Sequence, residues 1–227
     1  SLLGVNNWWQ ISHSVDYWAA LRSGASPFEH LWSLSVEMQF YLVLPILAAV
    51  AARRRASVAT FATLVVAIAI IGAAIGLFLG TGVVHGEREL TEVYYDTFVR
   101  SAEMMAGAAT AVWSRRRPSG PTFLLDALAT IALAAQVALW FTLRAATDEF
   151  VGRGGMALAG VGTCCIIAAA VRGEIAARAL SWSWLRWLGT RSYSLYLWHW
   201  PVVVYVDRQS SGFSGTSLLA LRIAMTL

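Results

Sequence analysis

Four stretches of this chain set ionisable or hydrogen-bonding side chains into otherwise apolar sequence, and their spacing limits the chemistry open to them. The first reads His30-Leu31-Trp32-Ser33-Leu34-Ser35-Val36-Glu37-Met38-Gln39-Phe40-Tyr41. On a helix, His30, Ser33, Glu37 and Tyr41 stand at i, i+3, i+7 and i+11, which is one face. Glu37 then lies about 10 Å along the axis from His30, at ~1.5 Å per residue. A histidine and a carboxylate in one stripe can move and orient a proton near neutral pH; equally, Glu37 can serve only to glue helices together. The second stretch holds Arg100 and Glu103, three residues apart and able to touch on a helix. A self-contained ion pair and a shared polar cavity both remain open there.

The third stretch is Thr190-Arg191-Ser192-Tyr193-Ser194-Leu195-Tyr196-Leu197-Trp198-His199-Trp200-Pro201. Ser192, Tyr196 and His199 share a face at i, i+4 and i+7. His199 is either a core donor satisfied by a neighbouring carbonyl or a group that transfers a proton or orients substrate. Pro45 and Pro201 each leave a carbonyl without its helical donor, those of Tyr41 and Leu197, which permits kinks beside the first and third stretches. The fourth, Asp126 with Gln136, is weaker, because Asp126 falls near a helix end where it can reach water. Outside these stretches, Gly-x-Ser-x-Gly elbows, Walker loops, zincin His-Glu-x-x-His and Cys-x-x-Cys pairs are all missing from the sequence. His85, in an acidic loop, reads as a solvated residue.

These groups are costly because of the elements that carry them. The 227 residues are 58% apolar and 13% charged, with a mean hydropathy of +0.60, far from the quarter or so of charged residues in a soluble domain. Apolar runs at 30–51, 57–80, 97–113, 122–144, 154–171 and 191–207, with another beginning at 216–227, approach the roughly 20 residues that cross a bilayer. The expected fold is therefore an all-α polytopic bundle of about six complete spans plus part of a seventh, forming one domain over 1–227. At bilayer depth an ionisable side chain costs about 2.5 to 3.5 kcal/mol, so each needs a partner, a wet cavity or a task.

The formal net charge is +4 and there is no lysine. The arginines cluster in short connections, which argues for topology and against nucleic acid as a partner. Arg53, Arg54, Arg55, Arg115, Arg116, Arg117, Arg172, Arg178 and Arg186 fall on one side, against Arg22, Arg88, Arg153 and Arg208 on the other. The second side also holds Glu87, Glu89, Glu92, Asp148 and Glu149. The positive-inside rule then puts residues 1–29 outside the cytoplasm, in a multi-pass protein of the cell membrane. Trp8, Trp9, Trp18, Trp182, Trp184 and Trp187 read as headgroup anchors. Cys164 and Cys165 are adjacent in an apolar run and form neither a disulfide framework nor a metal site. Ser210–Gly215 reads as a short flexible turn. The chain starts at Ser1 without a signal peptide and stops inside an apolar helix, so it reads as a piece truncated at both ends.

The segments at 30–41 and 188–201, the latter Leu-Gly-Thr-Arg-Ser-Tyr-Ser-Leu-Tyr-Leu-Trp-His-Trp-Pro, resemble signature segments of the integral-membrane acyltransferase 3 family. Arg-Ser-Ala-Glu-Met-Met-Ala-Gly at 100–107 is similar to a third, less specific one. The resemblance implies about ten membrane helices and an O-acyltransferase. The donor would be acyl-CoA from the cytoplasmic side, a co-substrate rather than a tightly bound cofactor. The acceptor would be a hydroxyl of an extracytoplasmic carbohydrate or glycolipid, with the lipid bilayer as solvent. It further implies a catalytic histidine on an earlier helix that lies outside this chain. On the matching positions, Glu37, His30 and His199 are the candidate catalytic residues. Trp32, Ser33, Gln39, Tyr41, Arg100, Glu103, Tyr193 and Tyr196 are the candidate substrate contacts, and no metal is expected. The alternative is a membrane transporter or flippase for a surface sugar, using the same polar groups without covalent change.

Overall fold

The computed structural model describes residues 4–13, 26–86, 88–116, 122–142, 150 and 153–227. Trp18, Arg22, Glu87, Arg117, Asp148 and Glu149, used above for anchoring or orientation, lie outside the described residues. Those described are helical with short connections, and no strand occurs among them.

Short α1 (Asn6–Ser12) precedes a 3₁₀ turn (Glu29–Leu31) that runs straight into α2 (Trp32–Arg53), with Pro45 inside it. Helix α3 (Val58–Val84) opens on Ser57, whose Oγ accepts the Thr60 N–H at 3.1 Å. This is an N-cap on one of the orphan donors of the first turn. Next come α4 (Leu90–Tyr95), α5 (Thr97–Arg116), α6 (Phe123–Thr142) and α7 (Gly155–Arg172). The chain closes with α8 (Ile175–Leu180), α9 (Ser183–Tyr205), α10 (Arg208–Ser211) and α11 (Gly215–Thr226).

Of the six expected spans, three helical segments among the described residues are long and apolar enough to cross a membrane: Glu29–Arg53, Val58–Val84 and Gly155–Arg172. A shorter apolar helix covers Phe123–Leu139. The other two expected spans form helices too, but their polar residues lower their hydropathy. Helix α5 carries Arg100 and Glu103, and α9 carries Arg186, Arg191 and His199. Large apolar side chains point outward throughout, among them Phe78, Phe123, Phe141 and Val171. Water would not tolerate that much exposed hydrocarbon, whereas lipid does.

Small residues let the helices approach. A Cβ built on Gly72 of α3 would stand 2.5 Å from Ser101 Oγ and 2.7 Å from the Phe98 carbonyl of α5, so only glycine fits this crossing. Gln136 of α6 donates to the Ala159 carbonyl and to Thr163 Oγ1 of α7, at 3.1 and 3.2 Å. Asp126 does not reach water as expected: it is buried, and its carboxylate accepts the N–H groups of Glu174, Ile175 and Ala176 at the start of α8.

Ser210–Gly215 is likewise not simply a turn. Asp207 accepts the Ser210 N–H at 2.7 Å while Ser210 Oγ accepts the Asp207 N–H at 3.0 Å, a capping box that starts α10. Gly212, at φ 71°, ends that helix. Helix α9 also begins eight residues before the expected 191, since Ser183 to Thr190 continue the helix despite their polar and aromatic content.

Candidate active site

The site begins with the 3₁₀ turn. Gln10 of α1 donates from Nε2 to the Glu29 carbonyl at 2.9 Å, and Trp200 of α9 donates from Nε1 to the Ser26 carbonyl at 2.9 Å. The turn is thus pinned between α1 and α9, and His30 is carried into the protein, 3% exposed. From there the polar stripe of α2 continues with Ser33 and Glu37.

Helix α9 meets that stripe through Tyr196. Its hydroxyl donates to the His30 carbonyl and accepts from Ser33 Oγ. This closes the first and third sequence stretches on each other. One turn further, His199 Nδ1 donates to the Tyr196 carbonyl at 2.6 Å. A carbonyl only accepts, so Nδ1 carries a proton, and in the neutral ring the lone pair is therefore on Nε2. The rings of His30 and His199 stand edge to face with centroids 5.3 Å apart. Neither ring nitrogen of His30 has a hydrogen-bond partner among the described residues. Leaving a buried polar group unpaired costs about 1 to 3 kcal/mol, so a ligand hydroxyl or a water is the natural complement.

The third wall comes from α4 and α5. Arg100 Nε donates to the Tyr94 carbonyl at 3.0 Å, and Nη1 donates to both Glu103 carboxylate oxygens at 3.2 and 3.3 Å. Its guanidinium carbon lies 4.4 Å from the ring centre of Tyr94 and 5.3 Å from that of Trp32. Two aromatic faces and a carboxylate therefore hold the cation in place, and Nη2 is left for a ligand. Both sequence readings of the Arg100–Glu103 pair coexist: the ion pair forms, and both residues line a cavity.

That cavity, about 320 Å³, is lined by His30, Glu37, Arg100, Glu103, Tyr196 and His199, together with Trp32, Ser33, Val36, Tyr94 and Met104. Glu37 makes no hydrogen bond among the described residues, so its carboxylate is available to whatever enters. Gly160 of α7 makes room behind Glu103, since a Cβ there would lie 3.0 Å from Glu103 Cγ.

Three of the sequence candidates lie elsewhere. Gln39 is a structural tie: its Nε2 donates to the Gly4 carbonyl and Asn7 Oδ1, at 2.7 and 3.0 Å, and its Oε1 accepts from Thr97 Oγ1 at 2.7 Å. Asn7, fully buried, donates in turn to Thr97 Oγ1 and the Tyr95 carbonyl. Tyr41 is 66% exposed and Tyr193 63% exposed, both on outward faces. Sequence reading missed Tyr94, Val36 and Met104. Tyr94 precedes α5 in a segment with no helical stripe to mark it; the two apolar residues look like ordinary core. Trp200 also escaped, since its role depends on a carbonyl in another segment.

Fold and cavity together define a helical membrane protein whose titratable side chains converge from three separate segments. The chain belongs to the acyltransferase family whose model, described as an acyltransferase domain, matches residues 1–227. It is 36% identical over 216 residues to the putative peptidoglycan O-acetyltransferase YrhL of Bacillus subtilis, covering 90% of this chain and 32% of that protein. It is 31% identical over 210 residues to the O-acetyltransferase OatA of Staphylococcus aureus, covering 89% of this chain and 34% of the relative. The peptidoglycan O-acetyltransferase OatA of Listeria monocytogenes is 30% identical over 210 residues, with 89% and 33% covered. The chain thus spans about a third of the length of the curated relatives it matches. No solved structure matches it significantly.

Proposed function

We propose that this chain forms part of the catalytic membrane domain of an O-acetyltransferase that moves an acetyl group from acetyl-CoA to a sugar hydroxyl of a cell-wall glycan outside the cytoplasm. The observation that carries the reading is the meeting of His30, Glu37, Arg100, Glu103, Tyr196 and His199 around one cavity. The relatives, named as peptidoglycan O-acetyltransferases, suggest the acetyl group and the peptidoglycan class of acceptor.

Among the residues of this chain, His199 Nε2 takes the proton of the acceptor hydroxyl as its oxygen attacks the thioester carbonyl. The C–O bond forms, the C–S bond breaks, and the imidazolium returns the proton to the leaving thiolate. Acceptor ester and free thiol are the products. Glu37 offsets the positive charge that builds on the imidazole, His30 hydrogen-bonds the incoming hydroxyl, and Arg100 Nη2 meets the negative charge on the carbonyl oxygen. Tyr196, committed to the His30 carbonyl and to Ser33, sets the spacing of the two histidines.

The topology follows from the arginine asymmetry: six complete spans and part of a seventh in the cell membrane, residues 1–29 outside. Helices α5 and α9 then cross with Arg100 and Glu103 of the one and Tyr196 and His199 of the other turned to the cavity rather than to lipid, the arrangement under which ionisable residues are tolerated at depth.

The test is transfer of label from [acetyl-¹⁴C]acetyl-CoA into glycan in membranes carrying the full chain. Labelled ester in glycan from wild type, absent from His199→Ala membranes with equal protein, supports acyl transfer. Unmodified glycan crossing the membrane without label would instead favour a transporter.

A further inference from the structure

One side of the polar cavity has no polar group. It is made by Val36 of α2 and Met104 of α5, and the same two side chains line a second space beyond them. That space, about 400 Å³ between α2, α3 and α5, is bounded mainly by hydrocarbon, with Phe40, Val43, Ile68 and Phe98 on its walls. Val36 is 4% exposed and packs with Trp32 and Tyr95 in one buried cluster, against which Met104 also rests. The partition is therefore one side chain thick and held from behind.

The transferred acyl group must lay its alkyl end against an apolar surface while its carbonyl faces the histidines and Arg100. In this cavity the aliphatic surface is the Val36–Met104 partition, beside the ring of Trp32. Resting on the acyl-transfer reading above, we propose that Val36 and Met104 set the length of the acyl group, admitting acetyl and excluding longer chains from the groove behind. The groove could accept them: a water takes about 30 Å³ and a methylene is of similar size, so the two extra methylenes of butyryl would fit several times over.

A hydrophobic site typically discriminates one methylene by about ten- to two-hundred-fold, and opening the partition should relax that selection. The experiment offers acetyl-CoA and butyryl-CoA in competition to membranes carrying the full chain, then releases and quantifies the glycan-bound acids. Wild type is expected to give acetate in at least about tenfold excess. Met104→Ala should raise the butyrate-to-acetate ratio by about tenfold or more, Val36→Ala should raise it less, and Met104→Leu, of similar volume, should keep the acetate preference. If Met104→Ala does not insert, Met104→Val carries the same test with a smaller shift.

The ratio separates selection from damage, because a variant that is merely destabilised loses both products together. Alanine variants that transfer acetate but keep the wild-type ratio overturn the inference while leaving acyl transfer standing. So does a wild type that uses butyryl as readily as acetyl. Wild-type membranes that transfer neither acid overturn the acyl-transfer reading itself, and this inference with it.

Discussion

The imidazole of His30 meets that of His199 edge to face, with centroids 5.3 Å apart and planes inclined at 78°. The two are locked at that spacing by Tyr196, which donates its hydroxyl to the His30 carbonyl and accepts the His199 Nδ1–H on its own carbonyl. Each histidine has a different hydrogen-bond state as a result. His199 has its Nδ1–H committed to a carbonyl, which fixes the tautomer of the neutral ring, whereas His30 has two nitrogens without a hydrogen-bond partner among the described residues.

The difference predicts unequal losses. His199→Ala removes the proton acceptor and should lower acetyl transfer by about 10² to 10⁴-fold, the usual contribution of a general base. His30→Ala should lower it less and mainly by raising the acceptor KM, because it removes a binding contact. Initial rates against acceptor concentration, at equal protein in the membrane, distinguish the two.

Arg100→Lys keeps the charge but loses the fork that joins the Tyr94 carbonyl to Glu103 and the planar face stacked on Tyr94 and Trp32. Transfer should fall by about tenfold or more, consistent with the ~1.4 kcal/mol per factor of ten that one well-placed charged hydrogen bond supplies. A lysine variant with wild-type kcat/KM would remove the guanidinium from the site.

Gln39→Ala should act on stability. Losing its bonds to Gly4, Asn7 and Thr97 should cost about 1 kcal/mol and lower the thermal midpoint in detergent, with residual activity tracking the folded fraction. Tyr41→Phe and Tyr193→Phe, on exposed faces, should leave kcat/KM unchanged.

Gly72→Ala forces a methyl against the Phe98 carbonyl and Ser101 Oγ, and should destabilise the α3–α5 crossing by about 1 to 3 kcal/mol. Gly160→Ala is tight only against Glu103 Cγ at 3.0 Å, with Cβ and Cα at 3.4 and 3.6 Å, so it should fold but shift that carboxylate and lower activity. Folded yield by size-exclusion chromatography and specific activity, measured together, should separate the two glycines.

How much of this was legible beforehand depended on whether the signal was local. The ends of α2, α3, α5, α6, α7 and α11 fall within a few residues of those read from apolar runs, because a helix that closes its own hydrogen bonds needs only its own sequence. The capping box of α10 and the short helices were harder, since α4 and α8 have six residues each, fewer than the roughly 11 over which a helical period can be read. Six spans were expected and three qualify by apolarity among the described residues, for a related reason. Helices α5 and α9 spend one face on the cavity, and a hydropathy average cannot tell such a helix from a water-facing one.

Within the site, sequence alone determined that His30, Ser33 and Glu37 share a face, that Arg100 and Glu103 can pair, and that Tyr196 and His199 lie one turn apart. These are consequences of the helical period. It could not determine that Tyr41, on the same stripe, ends up 66% exposed, or that Gln39 is spent on Asn7 and Thr97. Nor could it join the stretches to one another. Only the tertiary structure decided that Tyr196 reaches the His30 carbonyl, that Arg100 stacks on Trp32, and that Val36 and Met104 separate two cavities. Those contacts depend on how helices cross, which is set by packing between residues far apart in the chain.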